Sequence, residues 1–430
     1  MAKVLLLYAL SEYPTRNTIE DLLESFKKYS SHTVFYYNLL ARSLPAYLKT
    51  ISFDLILFHQ TVTLCGDKNR YVEMVSELEK FLEEQNGVRA ALFQDEYFYT
   101  DQSVRFINHL KIDYVFSVAP KKEWSRIYEG IHEKCKICSM LTGYIDQKAK
   151  GYYKKALKKK RSIDVGYRVV WSKNLVVLGK FGYDKVRISR LFIEGLNPKQ
   201  FRINIKVGIQ HILKGSKWNR FLRSCRYILG VESGSGVLDR DGRIREQIFQ
   251  EMERNPQITT KELYNKYIRE VDGEFQLQAI SPRHFEAIEE GACQILYEGE
   301  YSGILKPDIH YIALKKDHSN FYDIVKQLND EEKRQKIVKR AFDDIVGSGK
   351  YSYQVFVQYF FDTVFCNAKW PDRKMTIAEW KGYYRTLLHE LGTRFVLIII
   401  TALKKKDLLA RMRKHRLTRM ILKRYYAFRY

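Results

Sequence analysis

Apolar residues in the first 120 positions fall into short blocks separated by amphipathic stretches. Lys3–Tyr8 is a continuous apolar run, the pattern of a strand buried on both faces. Ser11–Tyr29 then carries Ile19, Leu22, Leu23 and Phe26 at helical spacing. Thr33–Tyr37, Phe53–Phe58, Arg89–Phe93 and Tyr114–Val118 read as further strands, with Val75–Leu82 and Val104–Leu110 as helices between them. Strands alternating with helices at this spacing predict a parallel, doubly wound sheet.

The rhythm restarts at Ile163–Arg168 and continues through strand candidates at Val186–Ile188, Ile203–Val207 and Tyr227–Val231. Helices are expected at Trp218–Cys225, Asp241–Arg254 and Ile258–Tyr267, with Phe321–Leu328 and Glu331–Val346 as a closing layer. The expected fold class is α/β, with two Rossmann-like doubly wound domains and a helical, basic C-terminal extension. The boundaries are an N-terminal domain over 1–147, a basic linker over 148–162, a second domain over 163–350 and the extension over 351–430. At 430 residues the chain is long enough for two cores.

The extension has its own pattern. Tyr351–Phe365 is rich in Tyr, Phe and Val, Trp370-Pro371 interrupts it, and Trp380–His389 resumes a helix. Phe395–Ile400 is an apolar run too short to span a bilayer. Basic residues interleaved with Leu408, Leu409, Met412, Leu417, Met420 and Ile421 follow it. Residues 395–430 therefore suit an interfacial segment on anionic lipid. The other reading is a helix packed back on the N-terminal domain with a solvated basic end.

Composition narrows the class. The chain is 45% hydrophobic and 29% charged, as in a globular protein. Its formal charge of +24 is unevenly spread. Residues 1–100 hold 10 Lys/Arg against 13 Asp/Glu, whereas 151–190 hold 12 against 2 and 404–430 hold 11 against 1. A nucleic-acid-binding or scaffolding protein working through those basic segments is the rival function. The acidic balance of 1–100 and the lack of any nucleic-acid module argue against it, so no nucleic-acid partner is expected. Six scattered cysteines are not a disulfide framework, and Cys135-x-x-Cys138 has no second pair to complete a zinc site. A cytoplasmic protein, peripheral to the inner face of the cell membrane, is expected.

Two absences are informative. The first strand-to-helix turn, Ala9–Pro14, has no glycines, which disfavours a dinucleotide cofactor, and no phosphate-binding G-x-x-x-x-G-K-[ST] occurs. No cofactor is expected. In open α/β sheets the chemistry lies beyond the carboxyl ends of the strands. There His59 follows one strand, and Asp95 and Glu96 follow another. Any of the three suits a general base, and each carboxylate suits equally an N-cap. In the second half, Gly166 would let backbone approach a ligand and Arg168 would turn a guanidinium into the cleft. Glu232-Ser233-Gly234-Ser235-Gly236 is a small-residue loop whose N–H groups suit phosphate.

The stretch Ile280–Gly299 reads as a loop, a short helix started by Ser281-Pro282, a glycine stop and a buried strand. Arg283, His284 and Glu286 lie in its first turns, where free N–H groups favour an anion. The site is either an anion pocket with a carboxylate for ribose hydroxyls or an ordinary helix start with mixed charges.

Arg283-His284-Phe285-Glu286-Ala287, Gly291-Ala292, Glu298-Gly299, Leu305-Lys306-Pro307 and His310-Tyr311 together resemble the C-terminal domain of GT-B glycosyltransferases, most closely the CgeB-like branch. Ile163–Arg168 and Leu229–Asp241 add to the likeness, which covers about residues 160–350. The resemblance implies two Rossmann-like domains facing a cleft and transfer of a sugar from a nucleotide sugar to a glycan or lipid-linked acceptor in bacterial surface polysaccharide assembly. It implies that Glu286 holds ribose hydroxyls, that Arg168 and Arg283 neutralise the diphosphate without a metal, and that Glu232, Ser233, Gly234, His284 and Lys306 border the donor. Retaining members carry a second Glu eight positions before the first. That position is Gln278 here, which leaves the stereochemical outcome open.

Overall fold

A computed structural model describes residues 1–40, 44–63, 68–170, 173–366 and 374–405. The N-terminal sheet has six parallel strands: β1 (Lys3–Tyr8), β2 (Thr33–Asn38), β3 (Leu55–Phe58), β4 (Val88–Phe93), β5 (Tyr114–Ser117) and β6 (Lys136–Ser139). Their order is β2-β1-β3-β4-β5-β6. The second sheet has five: β7 (Ile163–Val169), β8 (Ile203–Val207), β9 (Cys225–Gly230), β12 (Cys293–Tyr297) and β13 (Ile312–Leu314), ordered β13-β12-β9-β7-β8. Two short strands, β10 (Ser233–Ser235) and β11 (Leu277–Ala279), form a separate antiparallel pair. The principal helices are α1 (Asn17–Lys28), α2 (Lys68–Leu82), α3 (Thr100–His109), α4 (Lys180–Gly195), α5 (Ser216–Ser224), α6 (Arg243–Arg254), α7 (Thr260–Tyr267), α8 (Pro282–Glu289), α9 (Glu331–Ala341), α10 (Tyr353–Val364) and α11 (Ile377–Lys405).

The continuous apolar runs form strands because both faces of the first sheet are covered. Leu5, Leu7, Phe35, Ile56, Phe58 and Phe93 face one core, while Val4, Leu6, Tyr8, Leu55, Leu57 and Leu92 face the other. The first core does not stop at the domain edge. It takes in Val176, Val177, Leu178, Val237, Ile248, Leu263 and Phe275 from the second half, so the two α/β units share apolar packing.

The expected strand at Val186–Ile188 lies inside α4. Ile188 and Phe192 are its core residues, four apart, so a helical period governs a run too short to declare one. The basic linker is partly structural: Arg161 donates to the carbonyls of Cys225 (2.6 Å) and Glu290 (2.9 Å).

The C-terminal extension returns to the N-terminal domain. Phe356, Phe360 and Phe361 of α10 surround Phe26. Glu379 of α11 pairs with buried Lys3, and Thr401 accepts the N–H of Tyr13 at 3.4 Å. The run Phe395–Ile400 is the last part of α11. Packing back on the N-terminal domain thus holds for 377–405, and the basic residues 406–430 lie outside the described residues.

Candidate functional site

Both sheets read second-first-third from one side, so each has its switch point between its first and third strands: β1 and β3 in one, β7 and β9 in the other. The carboxyl ends of the sheets face each other. The segment after β1 meets the second domain through Glu12–Lys214 (2.6 Å) and Asn17–Asn219 (3.2 Å). The segment after β4 meets it through Tyr99 N–H to Asp239 carbonyl (2.9 Å) and the Arg240–Asp101 pair (2.9 Å). A cleft bounded by these contacts is where the site residues belong.

On the N-terminal side, His59 directly follows β3. It is fully buried, with Nδ1 at 3.1 Å from Thr61 Oγ1 and Nε2 without a hydrogen-bond partner among the described residues. Burial holds its pKa down to about 3, so the ring is neutral. Asp95 and Glu96 have opposite fates. Asp95 sits in a left-handed turn (φ 57°), is exposed, and accepts the Tyr97 hydroxyl at 2.9 Å. Glu96 points inward and accepts from Ser117 Oγ, the Val118 N–H (2.9 Å) and the Tyr128 hydroxyl. Burial raises its pKa to about 7. Glu96 ties β4 to the end of β5 and turns away from the cleft.

On the other side, several residues chosen for a donor are consumed by the fold. Arg168 does not reach into the cleft. Its guanidinium donates to Asn204 carbonyl (2.7 Å) and Oδ1 (2.9 Å), and it lies 4.0 Å from the centre of the Phe221 ring. A Cβ on Gly166 would stand 2.4 Å from Cys225 Sγ, so that glycine serves strand packing rather than ligand approach. The small-residue loop is strand β10, where Ser233, Gly234 and Ser235 pair with Ala279, Gln278 and Leu277. Gly234 (φ 136°) is required because a Cβ would meet the Leu277 carbonyl. Glu232 is buried and accepts the Tyr301 N–H at 2.6 Å, which organises the turn after β12. His284 is buried between Gln294 Oε1 (2.7 Å) and the Val231 carbonyl (3.2 Å), with its pKa held down to about 4 by burial. It is a neutral core residue, not an anion donor. Lys306 is exposed, and its backbone N–H donates to His310 at 3.1 Å.

What converges is smaller. Glu286 on α8 accepts Trp218 Nε1–H from α5 at 2.7 Å, and burial raises its pKa while Trp218 and Arg283 lower it. Arg283 donates to the Arg168 carbonyl (2.8 Å), and its guanidinium lies 5.6 Å from the Trp218 ring centre. Lys185 on α4 completes the group. Its pKa falls to about 8 through burial and through repulsion by Arg283, with the Asp95 carboxylate opposing the shift from across the cleft. Among the described residues neither Lys185 nor Arg283 forms a salt bridge, and Asp95 and Glu286 act on them from beyond that distance. A partly desolvated lysine beside an exposed guanidinium, neither in a salt bridge among the described residues, suits an anion. Lys185 directly precedes Val186–Ile188, a run whose apolar pattern fits a strand, and nothing local singles the lysine out. The helical spacing of Ile188 and Phe192 is the signal that places it on a helix.

No family model and no curated protein matches the chain. Solved structures do. Sucrose-phosphate synthase from Thermosynechococcus elongatus superposes with a TM-score of 0.49 at 9% identity, covering 86% of this chain and 100% of that one. An alpha-glucosyltransferase in complex with UDP and a 13-mer DNA gives 0.48 at 8% identity, covering 85% and 100%. HepE of Anabaena in complex with UDP and glucose gives 0.46 at 12%, with the same coverage. Likenesses this distant bring no chemistry to this chain, whose reading rests on its own cleft.

Proposed function

We propose that the protein is a GT-B glycosyltransferase that moves a sugar from a nucleotide sugar to a hydroxyl of a glycan or lipid-linked acceptor in surface polysaccharide assembly, at the inner face of the cell membrane. The observation that supports this reading is the Arg283 guanidinium over Trp218, which orients the carboxylate of Glu286, with Lys185 coupled electrostatically to the same guanidinium. In the proposed complex the two cations take the diphosphate, and Glu286 accepts ribose hydroxyls. The acceptor oxygen bonds to the anomeric carbon, its proton passes to Asp95, and the sugar–diphosphate bond breaks. Charge on the departing nucleoside diphosphate is then met by side-chain cations rather than by a metal ion.

The test is calorimetry with a panel of nucleoside diphosphates and nucleotide sugars. One nucleotide should bind the native protein, and Glu286→Ala should weaken that binding by at least about tenfold. Failure of every nucleotide to bind, or unchanged affinity in the variant, would overturn the assignment.

A further inference from the structure

A 29-residue helix, α11, covers the edge of the N-terminal sheet, yet it is not amphipathic in the ordinary sense. Its inward side holds the polar anchors. Glu379 pairs with Lys3, Glu390 binds the Tyr8 hydroxyl and Arg394 (2.6 Å), and Thr386 lies 3.2 Å from Tyr47. Its outward side is apolar. Ile377, Trp380, Tyr384, Leu388, Leu391, Phe395 and Ile398 are between 43% and 77% exposed. Their spacing of three and four forms one stripe, about 30 Å long at the helical rise. Large apolar patches of this kind mark an interaction surface.

Charge selects the occupant. Over 377–402 the exposed positions carry two charged residues, Lys381 and Arg385, both cations. Both acids of the helix face inward. Parallel pairing with a second copy of α11 would bring Lys381 and Arg385 against their own kind, and antiparallel pairing would give them no opposite charge of the sort that flanks a coiled-coil seam. Trp380 and Tyr384 stand where aromatic side chains favour a membrane interface. The chain beyond the helix, 406–430, adds 9 Lys/Arg against 1 Asp. No described helix is long and apolar enough to cross a membrane.

We propose that the outer face of α11 lies flat on an anionic lipid surface, with the Ile377–Ile398 stripe in the headgroup region and Lys381 and Arg385 on the lipid phosphates. This rests on the reading that the protein works at a membrane, and it moves the principal contact from the basic tail to a folded helix. It also fixes an orientation. Glu379 sits beside Lys3, at the start of β1, and Thr401 beside Tyr13, just past its end. The stripe therefore runs toward the carboxyl ends of the sheet and stops next to the loop that reaches Lys214 across the cleft. A lipid-linked acceptor would meet the cleft at that end.

Flotation of the full chain with phosphatidylglycerol–phosphatidylcholine vesicles, against phosphatidylcholine alone, tests this. The triple variant Leu388→Ser, Leu391→Ser, Phe395→Ser changes exposed side chains only, and an unchanged Tm would verify its fold. The expected result is binding to the anionic vesicles that falls at least about tenfold in the triple variant. A chain ending at Lys405 should retain stripe-dependent binding. Triple-variant binding equal to the native protein would assign the contact to the tail and overturn this proposal alone. Absence of any vesicle binding by the native protein would overturn the membrane reading with it. A native dimer in light scattering that the triple variant converts to monomer would give the stripe to a second copy and overturn the lipid assignment.

Discussion

The two sheets share a strand order but furnish their carboxyl ends differently. Past the N-terminal strands, polar atoms are left over among the described residues: His59 Nε2 has no partner there and Asp95 is held by one hydroxyl. Past the C-terminal strands nearly every polar group chosen for chemistry is already engaged, as Arg168, Glu232 and His284 show. Among the described residues chosen for the donor side, Arg283, Glu286 and the exposed Lys306 keep side-chain atoms open to a ligand, and Lys185 joins them. The difference suits a division of labour. A side that must take protons keeps an exposed carboxylate, and a side that must hold an anion keeps unpaired cations on a rigid frame.

The strongest way to break this comparison is Asp95→Asn. If the N-terminal side supplies the base, steady-state transfer should fall by about 10²- to 10⁴-fold with donor affinity unchanged. Retained activity would remove Asp95 from the chemistry and leave His59 as the polar group at that end. Next in size is Lys185→Ala, which should weaken nucleoside diphosphate binding by about 1.5–3 kcal/mol, the value of a hydrogen bond to a charged group. Because the lysine pKa is held down to about 8, native affinity should also fall as pH rises through 8, when the cation is lost. Lys185→Arg should keep affinity and abolish that dependence. Titration calorimetry across pH 7 to about 9 reads both. A smaller effect, and on stability rather than turnover, is expected for Glu96→Gln. One carbonyl cannot accept from Ser117, Val118 and Tyr128 as a carboxylate does, which costs about 1–3 kcal/mol in urea unfolding.

Which parts were legible in the sequence follows from the same contrast. Val4–Tyr8 was readable because a strand buried on both faces is apolar without a break, and Lys3 extends it by one residue that Glu379 neutralises. Val186–Ile188 was not, since three apolar residues fit either period and only Phe192 four positions later decides it. Ser281-Pro282 marked the start of α8, and the glycine after it marked its end. Burial, however, is a property of three dimensions. Nothing local separates Asp95 from Glu96, and it is Ser117 and Tyr128, 21 and 32 positions away, that claim the second. His284 likewise looked like part of an anion site until Gln294 and the Val231 carbonyl enclosed it. Glu232-Ser233-Gly234 resembled a phosphate loop because a strand made of small residues has a loop's composition.

The mildest test concerns the two enclosed histidines, one on each side of the comparison. Both have folded-state pKa values well below the ordinary 6.5, about 3 for His59 and about 4 for His284. Above pH 6.5 the ring is neutral whether folded or unfolded, so stability there does not depend on it. As pH falls below 6.5, only the unfolded chain takes the proton, and stability is lost until the folded values are reached. Each histidine should then contribute a slope of about 1.4 kcal/mol per pH unit between pH 6 and about 4.5. His59→Phe should remove one proton's share of that slope while leaving nucleotide binding at pH 7 untouched. His284→Gln should do the same, because it too is a core residue. If His284→Gln instead weakened nucleotide binding selectively at pH 7 with stability unchanged, the donor side would regain a residue that its buried partners now deny it.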